Sequence, residues 1–189
     1  METVTLTPAF DALVSVTLGG RKVYYTTSNG GMFSAARGDR QSAFEAGQPL
    51  QTADDSEGGF GAYVVDTDDL VYYPRRAGAG TELVTARLLS TGFSGPGERV
   101  RDVSVAGGED WDPVLNGAQT SLFFVSGGDI PGVPVFVTRR RTRAEAFSGR
   151  TRVPELEDAA NDHVSWVSED ECVVYLTRSS HIFMATRPR

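Results

Sequence analysis

The fold of this chain is decided by the stretch VSVTLGGRKVYYTTSNGGMFSAAR, residues 14 to 37, which returns near the end as VSWVSEDECVVYLTRSSHIFMATR, residues 164 to 187. The two stretches overlay without a gap at an offset of 150 residues, and 8 of the 24 positions are identical. Self-similarity at a fixed spacing is the signature of a repeat architecture. We therefore interpret the two stretches as copies of one structural unit.

Two further copies lie between them. They are AYVVDTDDLVYYPRRAGAGTELVTAR, residues 62 to 87, and DPVLNGAQTSLFFVSGGDIPGVPVFVTR, residues 112 to 139. An arginine closes each copy, and an aromatic residue marks its second predicted strand: Arg37, Arg87, Arg139 and Arg187, with Tyr25, Tyr73, Phe124 and Tyr175. We predict one domain, residues 1–189, with repeats at approximately 1–37, 41–87, 93–139 and 147–187.

Each copy has the pattern of a β-meander. In the first copy, predicted strands at 14–18, 22–27 and 32–37 are separated by a Gly-Gly turn and a Gly/Ser-rich loop, and Val, Tyr, Phe and Thr dominate the strands. A phenylalanine then opens a fourth segment, at Phe44, Phe93 and Phe147 in the first three copies. Four strands at this period are typical of a β-propeller blade. The predicted fold is all-β, a small β-propeller of four four-stranded blades; a β-sandwich with coincidental repeats is the alternative.

The two ends of the sequence complement each other. The last copy reaches Arg189 without a fourth segment, whereas METVTLTP at the start overlays TRVPELED, so that Leu6 falls on Leu156. We predict that the N-terminal strand closes the last blade and removes an exposed sheet edge. Closure within one chain makes a four-bladed monomer, which we expect, and closure between two chains makes a strand-exchanged eight-bladed dimer.

The last repeat, FSGRTRVPELEDAANDHVSWVSEDECVVYLTRSSHIFMATR, resembles the TolB-like (WD40-like) propeller repeats. The shared features are a Phe-started strand, an acidic stretch, a tyrosine-bearing strand and a strand that ends in Ala-Thr-Arg. The sequence departs from that pattern at Glu171, where the family usually has glycine. The four repeats and FDALVSV (10–16) are also similar to hemopexin-like domains, although Cys172 alone cannot form the disulfide usual there. The resemblance implies a protein-interaction or carbohydrate-associated module and no catalytic residues.

Composition argues against several classes of function. The net charge of −7 disfavours nucleic-acid binding, which needs an excess of positive charge. No apolar run is long enough for a membrane span, and no signal peptide is visible, so the sequence as it stands indicates a soluble cytoplasmic protein, or an exported one if a leader has been removed. One cysteine and two histidines are too few for a cysteine- or histidine-based metal site.

Acidic residues gather just before the first strand of the repeats, in connections that a propeller brings to one loop face. Carboxylates there, with Trp111 as a stacking surface, suit a polar ligand, and His163 is placed to face the central channel. The predicted ligand-binding residues are Asp11, Glu109, Trp111, Asp112, Asp162 and His163. The alternative is that the aspartates only form turns. Carboxylate oxygens on the axis would suit a cation, but no metal or cofactor is predicted.

We therefore expect a non-enzymatic binding module that uses this loop face to bind a protein segment or a glycan. A carbohydrate-active hydrolase or lyase with acids in the central funnel is the first alternative. A structural subunit whose ring is completed by strand exchange is the second.

Overall fold

The structure, a computed structural model, is built from β-strands. It describes residues 12–16, 19–27, 31–51, 61–65, 69–105, 108–127, 134–156, 163–178 and 181–187. Within these ranges the chain forms antiparallel meanders and a single turn of 3-10 helix at Pro154–Leu156, and it forms no α-helix there.

The strands form four sheets, which we call blades 1 to 4 in chain order. Blade 1 is the meander β1 (Ala12–Val16), β2 (Lys22–Thr26), β3 (Met32–Ala36) and β4 (Gln48–Leu50). Blade 2 consists of β5 (Tyr63–Val65), β6 (Leu70–Ala77), β7 (Gly80–Leu89) and β8 (Gly92–Phe93), with β9 (Glu98–Arg99) also paired to β7. Blade 3 is the meander β10 (Asp110–Leu115), β11 (Ser121–Ser126), β12 (Val135–Arg139) and β13 (Ser148–Arg152). Blade 4 has β14 (His163–Val167), β15 (Val173–Arg178) and β16 (His181–Thr186) as its described strands.

The predicted all-β class and the four blade-type sheets of a β-propeller are confirmed. The fourth strands lie at the three repeated phenylalanines: β4 follows Phe44, β8 ends at Phe93 and β13 follows Phe147. The N-terminal strand that we predict to complete blade 4, in which Leu6 overlays Leu156, lies outside the described residues.

Contacts group the chain into two compact units. Unit 1 comprises Met1–Arg75 and Val84–Glu98, and therefore holds blade 1 and most of blade 2. Unit 2 comprises Arg76–Leu83 and Arg99–Arg189, and holds blades 3 and 4.

The core of unit 1 lies between blades 1 and 2. Tyr24, Met32 and Leu50 of blade 1 form one buried cluster with residues of blade 2 that include Val71 and Tyr73. The Ser15 hydroxyl donates to the Val64 carbonyl oxygen at 3.2 Å. The opposite side of blade 1 buries a second cluster, Val23, Tyr25 and Ala35, with Phe33 and Phe44 packed against it.

The pairing register corrects the sequence overlay in the first two strands. Trp166, Tyr175 and Met184 form one cross-strand row in blade 4, and Ser15, Tyr24 and Ser34 form the equivalent row in blade 1. Tyr175 is therefore equivalent to Tyr24, and Leu176 takes the place of Tyr25. The cause is a loop one residue shorter: five residues separate the paired Thr26 and Met32, whereas four separate Thr177 and Ile182. The offset of 150 residues between equivalent positions therefore holds for the third strand only, and the first two strands have an offset of 151 residues.

The same register shows that Arg139 does not occupy the position that Arg37 and Arg187 occupy in their blades. The backbone N–H groups of Arg37, Arg140 and Arg187 donate to the carbonyl oxygens of Arg21, Thr120 and Cys172, which are equivalent turn positions. Arg140, and not Arg139, is thus the counterpart of Arg37. Both guanidinium groups also donate Nε to the turn, to Gly20 and Gln119, and both lie over the phenylalanine that opens the fourth segment, Phe44 or Phe147.

This arrangement accounts for most of the basic run at residues 139 to 143. Arg143 Nε donates to the Ala118 carbonyl oxygen at 3.3 Å, as Arg40 Nε donates to Gly19 at 2.8 Å in blade 1. Two of the arginines therefore support the neighbouring turn of their own blade. Arg141 is paired with Glu145 and is largely exposed.

Arg139 instead joins blade 3 to blade 4 through Glu171. The Glu171 carboxylate accepts hydrogen bonds from the Ser121 hydroxyl and, at 2.8 Å, from Arg139 Nη2, while Arg187 Nη2 lies 3.8 Å away. Burial raises the pKa of Glu171, but the hydrogen bonds from Ser121 and Arg139 and the charges of Arg139 and Arg187 outweigh it, so the pKa lies below its ordinary value of 4.5. Glu171 therefore contributes to stability as a carboxylate.

The pH dependence of stability follows from this direction. Because the folded pKa is depressed, the contribution of Glu171 is present above about pH 4.5 and is lost as the pH falls through the folded pKa. We expect Glu171→Gln to lower the free energy of unfolding by about 1 kcal/mol at pH 7, since Arg139 is half exposed and solvent screens its charge. Urea unfolding from pH 7 to pH 3 is the measurement, and the difference from the wild type should shrink toward the acid end. Glu155→Gln, at an exposed position, is the control; an equal loss in both variants would contradict the role of Glu171.

Candidate functional site

The acidic run at residues 109 to 112 divides between the core and the surface, because alternate residues of a strand point to opposite faces. Asp110 is fully buried, whereas Trp111 and Asp112 are half-buried. The run as a whole is therefore not a surface of converging carboxylates, and only part of it can reach a ligand.

The Asp110 side chain belongs to a buried polar cluster around Arg150 of β13. Arg150 Nη1 lies 3.4 Å from Asp110 Oδ1 and donates to the Val103 carbonyl oxygen at 2.8 Å, while Nη2 donates to the Ser126 hydroxyl at 2.7 Å. The guanidinium also lies over the Phe136 ring at 4.1 Å from its centroid. Asp110 Oδ2 is buried and has no hydrogen-bond partner. The sequence pattern identified neither member of this pair; the only signal was the inward position of Asp110 in the alternation.

A β-bulge in β10 changes the direction of the Asp112 side chain. The β10–β11 register shifts between Trp111 and Val114, and Asp112 has a φ of +50°, a conformation that aspartate tolerates better than most residues. Pro113 follows and cannot donate to the ladder. Bulges of this kind re-aim side chains at the ends of strands.

Asp112 meets His163 of the neighbouring blade. Its Oδ2 contacts His163 Nδ1, at the first residue of β14, and β10 packs beside β14 in unit 2. The Asp112 side chain is 24% exposed and the His163 side chain 50%. Two predicted site residues from different repeats are therefore brought together at one end of adjacent first strands. We call Asp112 and His163, together with Trp111, which precedes Asp112 in β10, the Asp112–His163 site.

The other three predicted ligand-binding residues, Glu109, Asp11 and Asp162, are not placed at this site by the described structure. Glu109 is half-buried and forms an isolated bridge with Thr81, and its carbonyl oxygen accepts the Gly127 N–H at 3.0 Å. Its backbone thus has a structural function at the start of blade 3. Asp11 and Asp162 lie outside the described residues.

The chemistry available at the Asp112–His163 site is polar recognition. A carboxylate accepts hydrogen bonds, an imidazole donates or accepts them according to its protonation, and an indole offers a flat apolar surface with one donor. Among the described residues, no group of three or more histidine, cysteine or acidic side chains is arranged to hold a metal ion.

Comparison with known proteins leaves the chain without a family assignment. No protein-family model matches it, and no curated protein sequence matches it significantly. No helix in the described ranges has the length and hydropathy to cross a membrane. The candidate site therefore rests on its own geometry.

Proposed function

We propose that this chain is a non-enzymatic binding module of TolB-like blades, and that the Asp112–His163 site is the centre of its ligand-binding face. The observation that carries the proposal is the contact between Asp112 and His163, which come from separate repeats and remain partly exposed. A bulge in β10 holds Asp112 toward β14, and such bulges recur next to functional sites.

The ligand we propose is a protein segment or a glycan. Both present hydroxyl, amide or amine donors that suit the Asp112 carboxylate, and both present flat or apolar surfaces that stack on an indole such as Trp111. The net charge of −7 favours neutral or cationic ligands over anionic ones. The proposed binding requires neither a cofactor nor a metal.

The hydrolase or lyase alternative requires more than this site offers. Glycoside hydrolysis uses two carboxyl groups about 5 to 9.5 Å apart on either side of a sugar. Asp112 is instead joined to an imidazole, and Asp110, the acid nearest to it in sequence, is buried with Arg150. The geometry of the site therefore favours binding over glycoside hydrolysis.

The proposal is tested by screening the chain against a glycan array and a displayed library of unstructured peptides. For any binder found, we expect Trp111→Ala, Asp112→Asn and His163→Ala each to weaken the affinity about tenfold or more, as measured by calorimetry. Arg141→Ala is the matched control, since Arg141 is exposed at the opposite end of blade 3. Failure of both screens, or affinities that the three variants leave unchanged, would refute the proposed site.

A further inference from the structure

The last blade exposes an apolar face whose equivalents in blades 1 and 3 are buried. In blade 1, Tyr24 and Met32 lie on the side that packs on blade 2, and we call that side of any blade its forward face. The ladders place Phe123 and Val135 of blade 3, and Tyr175 and Ile182 of blade 4, at the same two positions.

The exposure of these positions distinguishes blade 4 from blades 1 and 3. The Met32 and Val135 side chains are 1% and 0% exposed, whereas Ile182 is 74% exposed. Tyr24 and Phe123 are 3% and 4% exposed, whereas Tyr175 is 37% exposed. Trp166 and Met184 extend the row on either side of Tyr175 and are also exposed. A contiguous apolar surface of this kind marks an interaction site.

The packing inside each unit shows what covers a forward face. In unit 1 the cover is the opposite side of the next blade, its rear face, which carries Val71 and Tyr73 in blade 2. In unit 2, blade 4 covers blade 3: β10 and β11 both pack against β14, and Asn116 Nδ2 donates to the Glu169 carbonyl oxygen at 3.2 Å. The forward faces of blades 1 and 3 are each covered by the rear face of the following blade. We therefore expect the forward face of blade 4 to pack against the rear face of a further blade.

Blade 1 has a rear face of the same composition. Tyr25 there is equivalent to Tyr73 in blade 2, and Phe33 and Phe44 pack over it while remaining partly exposed. The pairing rows of the blade 4 forward face carry no Asp, Glu, Lys or Arg, and their one titratable side chain is His163, at the end of the Thr177–Ile182 row, so two largely apolar sheet faces would meet.

We propose that the forward face of blade 4 binds the rear face of blade 1 of a second copy of this chain, so that two chains associate head to tail. The reciprocal contact makes the assembly closed and symmetric, which is the usual form of homo-oligomers. This is the two-chain closure that the repeat pattern left open beside the monomer. The argument does not use the proposed ligand-binding function, although His163 of the Asp112–His163 site lies at the end of the row that contains Ile182.

The test is the mass of the protein in solution, by light scattering over a range of micromolar concentrations. We expect about twice the chain mass of 20.3 kDa. Ile182→Glu and Met184→Glu place a charge in the interface and should raise the dimer dissociation constant about 100-fold or more. Val105→Glu, at an exposed apolar position outside the sheets, is the control and should leave the dimer intact. A wild-type chain that stays monomeric, or a dimer that neither blade 4 variant weakens, would overturn the proposal.

A mixing experiment distinguishes the head-to-tail contact from a contact between two blade 4 faces. Ile182→Glu and Phe44→Glu each damage one of the two complementary faces, and circular dichroism checks that both variants fold. Mixed together they retain one intact pair of faces, so we expect a species of two chains that neither variant forms alone. Absence of that species with both variants folded would overturn the head-to-tail arrangement. Should Phe44→Glu fail to fold, Phe33→Glu replaces it.

Discussion

Replacement of Arg150 by methionine is expected to lower the free energy of unfolding by about 3 to 5 kcal/mol, because it leaves the Asp110 carboxylate buried without a counter-charge. Methionine has a similar length and keeps much of the packing on Phe124 and Phe136, whose rings lie beneath the Arg150 guanidinium. The loss therefore measures the charge and its hydrogen bonds rather than a cavity.

The geometry explains the size of this effect. The Asp110 side chain is fully buried and that of Arg150 is 18% exposed, so solvent screens the pair poorly. Arg150 also supplies the hydrogen bonds accepted by Val103 and Ser126, and both acceptors lose their partner when it is replaced. Asp110 Oδ2 already lacks a partner, which leaves the cluster no other compensation among the described residues.

Two variants complete the Arg150 experiment, with urea unfolding as the measurement. The double variant Asp110→Leu/Arg150→Met removes both charges and should recover at least half of the loss, since a buried pair can be exchanged for apolar residues at little cost. Arg141→Met removes an exposed ion pair and should change stability by less than about 0.5 kcal/mol. A loss for Arg150→Met no larger than that for Arg141→Met would show that Asp110 finds another partner.

The repeat predicted the blades because period and turn chemistry are local properties of a sequence. Tyr25, Tyr73 and Phe124 were identified as equivalent, and all three are fully buried at the same strand position. Tyr175 was misplaced by one residue because sequence identity cannot show a loop that is one residue shorter. A one-residue shift exchanges the faces of a strand, and here it places Tyr175 on the exposed face, while Leu176 takes the buried position of Tyr25.

The candidate site was predicted less completely, because it depends on contacts between repeats. The sequence brought Asp112 and His163 into the same set of loop-face residues, and the structure joins them. It could not distinguish Asp110, which pairs with an arginine 40 residues away, from its neighbour Asp112. Nor could it assign Arg139 to Glu171, since that ion pair depends on how blade 4 packs on blade 3.

Substitution of Gly92 by alanine is expected to lower the free energy of unfolding by about 3 to 5 kcal/mol, from backbone strain and overpacking together. Gly92 lies in β8, where it forms a parallel bridge with Gln51, and Phe93 N–H donates to the Gln51 carbonyl oxygen at 2.8 Å. A β-carbon at Gly92 would lie 2.1 Å from that oxygen and 2.6 Å from the Gln51 nitrogen. Both obstacles are backbone atoms, so no side-chain rotation relieves the contact, and the link from β8 to the end of β4 must shift.

The matched control for Gly92→Ala is Gly95→Ala, three residues further along the same segment. Gly92 and Gly95 both have a positive φ, +143° and +84°, but a β-carbon at Gly95 meets no atom within 4 Å. Gly95→Ala should therefore cost only the conformational strain, about 1 kcal/mol, and the difference between the two variants isolates the close approach of β8 to Gln51. Urea unfolding of both variants gives that difference. Equal losses would mean that the backbone at Gly92 moves aside at no cost. The Gln51–Gly92 bridge would then not hold blades 1 and 2 together within unit 1.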